Sequence, residues 1–353
     1  MIHLAQIGCG YWGPNLLRNF SSLPDAVVRF VVEASADRRR YVEANYPGTA
    51  AVAELEPILA DMSVHGLVIA TPARSHFELA QRGLAAGKHV FVEKPLAMTV
   101  DEVDRLDAMA RERGLTLMVG HTFLYNPAVL ALKALIDSGE LGQIYYLYTQ
   151  RLNLGVVRQD VNALWNLAPH DVSICNFLLG SAPLSAAAHG TAYLQPGIED
   201  VVFANFEYPG QVRASVHVSW LDPNKVRKVT LVGSRRMAVY DDVATDKLVI
   251  FDKGVDSAAE TKPGAPQPFD QPPADLRLVY RTGAARVQPV DPTEPLREAA
   301  RDFIRAINAG QPPRADAASG RAVVASLQAA TQSLKENSRQ VRLDEIVAGA
   351  ATP

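Results

Sequence analysis

In the first third of the chain, short apolar runs alternate with segments of helical period. Residues 2–7, 27–32, 65–70, 88–92 and 115–119 are dominated by Val, Leu, Ile, Ala and Phe. Runs of this length between turn formers read as buried strands. The intervening residues 14–20, 75–86 and 99–113 read as helices. Pro14 suits a first helical turn, and Thr99 with Glu102 forms a capping pair at the head of the third helix. This alternation predicts a doubly wound parallel sheet with helices on both faces.

Past residue 122 the pattern changes. Residues 144–151, 201–208, 212–220 and 228–232 are strand-like, and Pro209-Gly210 marks a hairpin turn between the second and third of them. Prolines crowd residues 262–268 and 271–273, where they break helix and sheet alike. Strand and helix patterns resume afterwards, so we expect a surface excursion and not a domain linker.

Composition narrows the function classes. The 353 residues are 48% hydrophobic and 21% charged, enough for two well-buried cores. Lys plus Arg number 35 against 38 Asp plus Glu, a formal charge of −3. That balance offers no broad field for nucleic acid or an anionic membrane, while leaving room for a local basic pocket. No stretch is long and apolar enough to cross a bilayer, and the N-terminal apolar residues read as a strand, not a signal segment. Cytoplasm is the expected location. Cys9 and Cys175 alone supply no disulfide framework and no metal cluster; Cys9 fits a tight turn and Cys175 a core.

The chemistry concentrates at strand ends. Gly8-Cys9-Gly10-Tyr11-Trp12-Gly13 closes the first strand and opens the first helix, the context in which G-x-G-x-x-G binds a dinucleotide. Gly8 permits the turn, Gly10 lets backbone approach the pyrophosphate, and Gly13 allows close helix–strand packing. Asp37 falls near the expected spacing for a ribose-binding acid, about 20 residues beyond the loop, with Glu33 as the alternative. A carboxylate there favours NAD. Arg38 can stack on adenine or meet a phosphate, which keeps NADP open. Thr71, Lys94 and His121 each follow a strand, so all three can line one crevice. His76 either caps and packs its helix or touches the cofactor.

Glu93-Lys94-Pro95 ends the run Val90-Phe91-Val92. Lysine ordinarily titrates at about 10.4, but burial and a neighbouring oxidised nicotinamide both disfavour its ammonium form. An amine tuned toward neutrality can take or give a carbinol proton while hydride passes to the nicotinamide. Residues 151–162 are rich in donors and carry Arg151, Asn153 and Arg158. They are the expected substrate contacts, since arginine binds phosphate through paired, charge-assisted hydrogen bonds.

The fingerprint, the Ala70-Thr71-Pro72 turn with His76, and Glu93-Lys94-Pro95 together resemble the Gfo/Idh/MocA oxidoreductases. The resemblance continues through residues 120–127, 139–142 and 165–171 and returns in helices over 297–308 and 320–334. It implies a Rossmann domain over residues 1–122 and an α/β substrate domain over 123–353, whose large, open, mainly antiparallel sheet pairs with another subunit in a homo-oligomer, a dimer or tetramer. The C-terminal helices are expected to pack back on the first domain. The resemblance also implies that His170 meets the substrate hydroxyl, and that Tyr125 and Asn126 approach nicotinamide and substrate. Asn166 stands where the family usually has aspartate, which weakens a proton relay and shifts weight to Lys94 and His170. Cofactor contacts are extended to Tyr11, Trp12, Pro72 and Glu93.

The functional expectation is an NAD(P)-dependent oxidation of a sugar secondary alcohol. The stretch from Arg151 to Asp171 resembles members acting on nucleotide-linked sugars, including UDP-N-acetylglucosamine 3-dehydrogenases. A free-sugar or inositol dehydrogenase is the first alternative. A non-catalytic NAD-sensing regulator is the second.

Overall fold

The computed structural model describes residues 1–257 and 278–350; the proline-rich stretch of residues 262–273 lies outside them. The first half runs β1 (Ile2–Ile7), α1 (Gly13–Ser21), β2 (Ala26–Val32), α2 (Ala36–Asn45), β3 (Ala50–Val52) and α3 (Glu56–Ala60). It continues through β4 (Gly66–Ile69), α4 (His76–Ala85), β5 (His89–Val92), α5 (Val100–Glu112) and β6 (Leu117–Val119). The six strands pair in parallel in the order β3-β2-β1-β4-β5-β6. All four residues of β4 are buried. A sheet covered on both faces demands continuous apolar runs of this kind. The predicted cap of α5 forms in both directions: Thr99 Oγ1 accepts from the Glu102 N–H, and the Glu102 carboxylate accepts from the Thr99 N–H at 3.1 Å.

The second half runs α6 (Pro127–Asp137), β7 (Ile144–Leu152), α7 (Ala163–Leu179), β8 (Ser185–Thr191), β9 (Val201–Glu207), β10 (Arg213–Ser219) and β11 (Val226–Gly233). After β12 (Met237–Asp241), β13 (Leu248–Ser257) and β14 (Leu278–Val287) come α8 (Pro295–Ala309), α9 (Ala317–Lys335), β15 (Val341–Arg342) and α10 (Leu343–Ala350). Nine strands form one sheet in the order β14-β13-β12-β11-β7-β10-β9-β8-β15. Among the described strands of this sheet, only β7 and β10 pair in parallel. Along β9, Val202, Ala204 and Phe206 are buried while Phe203 and Asn205 are exposed, the alternation of a sheet with one face on the core. α7 and α9 cover that inner face. Tyr146, Tyr148 and Phe203 stand exposed on the sheet, where Phe203 stacks on His217 at 4.1 Å.

The last helices return to the first sheet. Phe303 of α8 meets Phe20 and Phe91 edge-on, with ring centroids 6.1 and 5.8 Å apart, a favoured aromatic geometry. Gly320 of α9 lies so close to the loop after β5 that a Cβ there would meet Leu96 at 2.8 Å. Among the described residues, no helix is long and apolar enough to cross a membrane.

Candidate active site

The carboxyl ends of β1, β2, β4, β5 and β6 open onto one crevice, and the loop after each carries a functional side chain. Gly8 leaves β1 at φ +89°, where a Cβ would meet the Ala70 carbonyl oxygen at 2.9 Å. Gly13 starts α1 so tightly that a Cβ would sit 3.0 Å from the Gly8 carbonyl oxygen. Gly10 faces open space except for the Arg38 guanidinium, 3.5 Å from where its Cβ would be. The loop therefore leaves its backbone open to a pyrophosphate, with the amides of α1 behind it. Tyr11 and Trp12 project from the same turn, largely exposed. These residues fit a dinucleotide.

The ribose acid falls differently from the spacing argument. Asp37 lies on the first turn of α2, exposed and ion-paired with Arg40. The chain turns at Ser35, whose side chain caps α2, and this carries Asp37 outward. The carboxylate facing the glycine loop is Glu33, 8% exposed, which accepts from the Cys9 N–H at 2.7 Å and the Ser35 N–H at 2.9 Å. The Arg38 guanidinium lies 4.0 Å from it.

Thr71 and Pro72 follow β4. His76 is buried, with Nδ1 2.7 Å from the Pro95 carbonyl oxygen and Nε2 2.9 Å from that of Thr71. It thus ties two crevice loops together and presents neither ring nitrogen to the crevice. Glu93 accepts from the Trp12 indole N–H at 2.9 Å, and burial lifts its carboxyl to about 7. Lys94 Nζ donates to the Asn166 backbone carbonyl at 2.8 Å. Burial brings this amine down to about 8, against the opposing pull of Glu93.

The wall facing Lys94 comes from the second sheet. Asn162 caps α7 by accepting from the Trp165 N–H, and one turn further α7 presents Asn166 and then His170. The Asn166 side chain accepts from the Trp220 indole at 3.2 Å, so its amide is engaged in packing while its backbone holds Lys94. His170 lies edge-on to Phe123 at 5.0 Å, with Nδ1 buried and unpartnered among the described residues. Burial holds its pKa well below the ordinary histidine value, and Lys94 and Arg151 push it the same way. His121, beyond β6, is buried with both ring nitrogens unpartnered among the described residues, and burial lowers it to about 3.

Asp171 forms a buried pair with Arg151: Nε donates to Oδ2 at 2.6 Å and the guanidinium lies over the Phe123 ring. Arg158 is held twice by Asp160, at 2.8 Å each. Asn153 lines the same space. Tyr125 turns away from the crevice, contrary to expectation. Its hydroxyl donates to Asp302 at 2.7 Å and accepts from the Ala315 N–H, because the short turn of residues 122–125 docks against α8. Asn126 caps α6 and donates to the Tyr240 hydroxyl at 2.9 Å.

Lys94, His170, Asn166, Trp12 and Thr71 surround one cavity of about 340 Å³. Its lining cations, Lys94, Arg151, Arg158, Lys225 and Arg227, outnumber its acids, Glu93 and Asp160, in a chain whose formal charge is −3. Lys225 and Arg227 carried no sequence signal, since they sit in a loop and at a strand's first turn. The cavity can hold a polar, anionic alcohol beside a dinucleotide.

Residues 2–121 match the oxidoreductase family profile of the GFO/IDH/MocA NAD-binding Rossmann fold, and residues 129–239 match the GFO/IDH/MocA C-terminal domain. The UDP-N-acetylglucosamine 3-dehydrogenase of Acidithiobacillus ferrooxidans is 28% identical over 92% of this chain and 96% of its own. Its solved structure superposes with a TM-score of 0.76 at 25% identity, covering 95% of this chain and 99% of that one. A crystal structure from Magnetospirillum magnetotacticum MS-1, described as an oxidoreductase with no substrate named, is 30% identical over 93% of this chain and 99% of that one, with a TM-score of 0.77. The Escherichia coli oxidoreductase YdgJ is 32% identical over 58% of this chain and 61% of its own. This chain spans 59% to 61% of the length of several curated relatives, YdgJ among them.

Proposed function

Because this chain belongs to the GFO/IDH/MocA oxidoreductase family and carries its NAD-binding fold, we propose that it oxidises a secondary alcohol of a nucleotide-linked sugar, reversibly, at the Lys94–His170 cavity. The observation that carries this reading is the Lys94 amine, half-buried at a strand's carboxyl end among cations, with burial bringing its titration down to about 8. Bound NAD supplies the hydride acceptor. Gly8, Gly10 and Gly13 cradle its pyrophosphate, Glu33 takes the ribose hydroxyls, and Thr71, Trp12 and Glu93 bound the nicotinamide end. Lys94, in its amine form, takes the hydroxyl proton. His170, kept neutral by burial, donates an N–H to the same oxygen as charge develops there, as a neutral imidazole can.

The nucleotide-sugar reading is supported by the surplus of cations and by the similarity to the Acidithiobacillus enzyme. The division at residue 122 and a homo-oligomer formed through the exposed sheet face of Tyr146, Tyr148 and Phe203 belong to the same proposal. NADH absorbance with a panel of UDP-, dTDP- and free sugars tests it. Turnover of phosphate-free sugars or inositols faster than their nucleotide-linked counterparts overturns the substrate class.

A further inference from the structure

Arg151 and Arg158, the arginines with a sequence-level claim on a substrate phosphate, are both already answered within the protein. Arg151 is 7% exposed and locked to Asp171. Arg158 gives Nε and one terminal nitrogen to the two oxygens of Asp160. Recruiting either to a phosphate would strip a carboxylate of its partner, which costs most where the acid is buried, as Asp171 is.

Two other cations line the same cavity with most of their donors unspent. Lys225 is exposed on the connection from β10 to β11, and no hydrogen bond or ion pair holds it among the described residues. Arg227, at the start of β11, makes one long contact to Asp242 at 3.4 Å. Asp242 in turn accepts from the Tyr240 hydroxyl at 2.9 Å, so that carboxylate does not depend on Arg227 alone. Arg227 also lines a neighbouring cavity of about 420 Å³ bounded by Trp12, Phe123, Asn126 and Lys247. It therefore stands between the two cavities, both of which also include Trp12 of the glycine loop.

We propose that Lys225 and Arg227 form the anion clasp of the substrate site, receiving a phosphoryl group attached to the sugar while Arg151 and Arg158 hold the site's shape. The inference rests on the nucleotide-sugar reading and sharpens it, by assigning the phosphate to the β10–β11 connection. A guanidinium with free N–H groups can hold a phosphoryl oxygen pair side-on, and an ammonium adds a point charge.

The test uses the full-length protein saturated with NAD, so that the dinucleotide loop is filled. Arg227→Gln and Lys225→Gln are compared with the unaltered protein for KM and kcat on a UDP-sugar, a sugar 1-phosphate and an uncharged sugar. Inhibition by UDP is measured against whichever alcohol turns over. The expected result is a rise in KM for phosphorylated substrates and in Ki for UDP of about 10-fold or more for Arg227→Gln. A smaller rise is expected for Lys225→Gln, with kcat and the uncharged sugar little changed. Unaltered KM and Ki in both variants, or equal losses for charged and uncharged sugars, overturn the clasp. If no phosphorylated sugar turns over, the substrate reading fails, and the UDP inhibition constants still decide whether the clasp binds phosphate.

Discussion

Lys88 and Lys94 bracket the same strand, β5, and the two ends of that strand treat the same side chain in opposite ways. Lys88 is 2% exposed and gives its ammonium to two carbonyl oxygens, of Asp61 at 2.7 Å and Val64 at 2.9 Å. Lys94 has one carbonyl partner, Asn166, and faces a cavity. Burial lowers both amines, so a depressed lysine does not by itself mark chemistry. The histidines repeat the contrast. Near Lys88, His65 accepts from the His3 N–H and His89 from the Thr116 N–H, each at 2.9 Å. Near Lys94, His121 and His170 leave ring nitrogens unpartnered among the described residues. Polar groups at the amino end of the sheet are spent on closing the fold; at the carboxyl end His76 is spent in the same way, while Lys94 and His170 line the cavity. A buried polar group left unpaired costs stability, and sites that bind and react are where such a cost is retained.

The largest effect should come from breaking the reactive end. Lys94→Ala is expected to lower kcat by about 10²- to 10⁴-fold, the usual worth of a positioned acid or base. NAD affinity, read by fluorescence titration, should hold; unchanged turnover would take the lysine out of the mechanism. In the unaltered enzyme, oxidation should rise with pH and level off above about 8, because only the neutral amine accepts a proton and burial sets its titration there. Glu93, Arg151, Arg158 and Asp171 are the charges acting on it, and loss of that pH limb in the variant is the check.

Arg151→Met tests the wall between the two ends. It leaves the Asp171 carboxylate buried without its partner and should destabilise the protein by about 3–5 kcal/mol in a denaturant melt. Lys88→Met is the mirror of Lys94→Ala. It should cost about 1–3 kcal/mol, because the Val64 carbonyl loses its partner while that of Asp61 keeps the Val64 N–H, and kcat per folded molecule should stay put; a large loss of kcat would erase the contrast between the ends. The smallest effect separates the two candidate ribose acids. Glu33→Gln should weaken NAD about tenfold, the worth of a hydrogen bond to a charged acceptor, and Asp37→Asn should leave it nearly unchanged by isothermal titration.

The sheet of the first half was legible in the chain because parallel strands buried on both faces leave continuous apolar runs, and because Thr99–Glu102 and Pro14 punctuate the helices locally. Lys94 and the glycine loop were legible for the same reason: their position at a strand end is a local property. Asp37 and Glu33 show where spacing stops helping. Both fall near the expected distance, and only the turn at Ser35 decides which carboxylate faces the loop. Tyr125 sits beside strand-end residues in sequence, yet α8, folding back from residue 295 onward, claims its hydroxyl.

The parts of this protein written in nearest-neighbour pattern are its alternating strands and helices, its phosphate cradle and its strand-end lysine, since each depends on residues within a turn or two. The opposite wall of the cavity depends on contacts between residues far apart in the chain: the Asn166 carbonyl under Lys94, Asp171 against Arg151, and Arg227 at the rim. Which charges are neutralised and which remain free is a matter of three-dimensional distance and desolvation, and those quantities exist only once both sheets have come together.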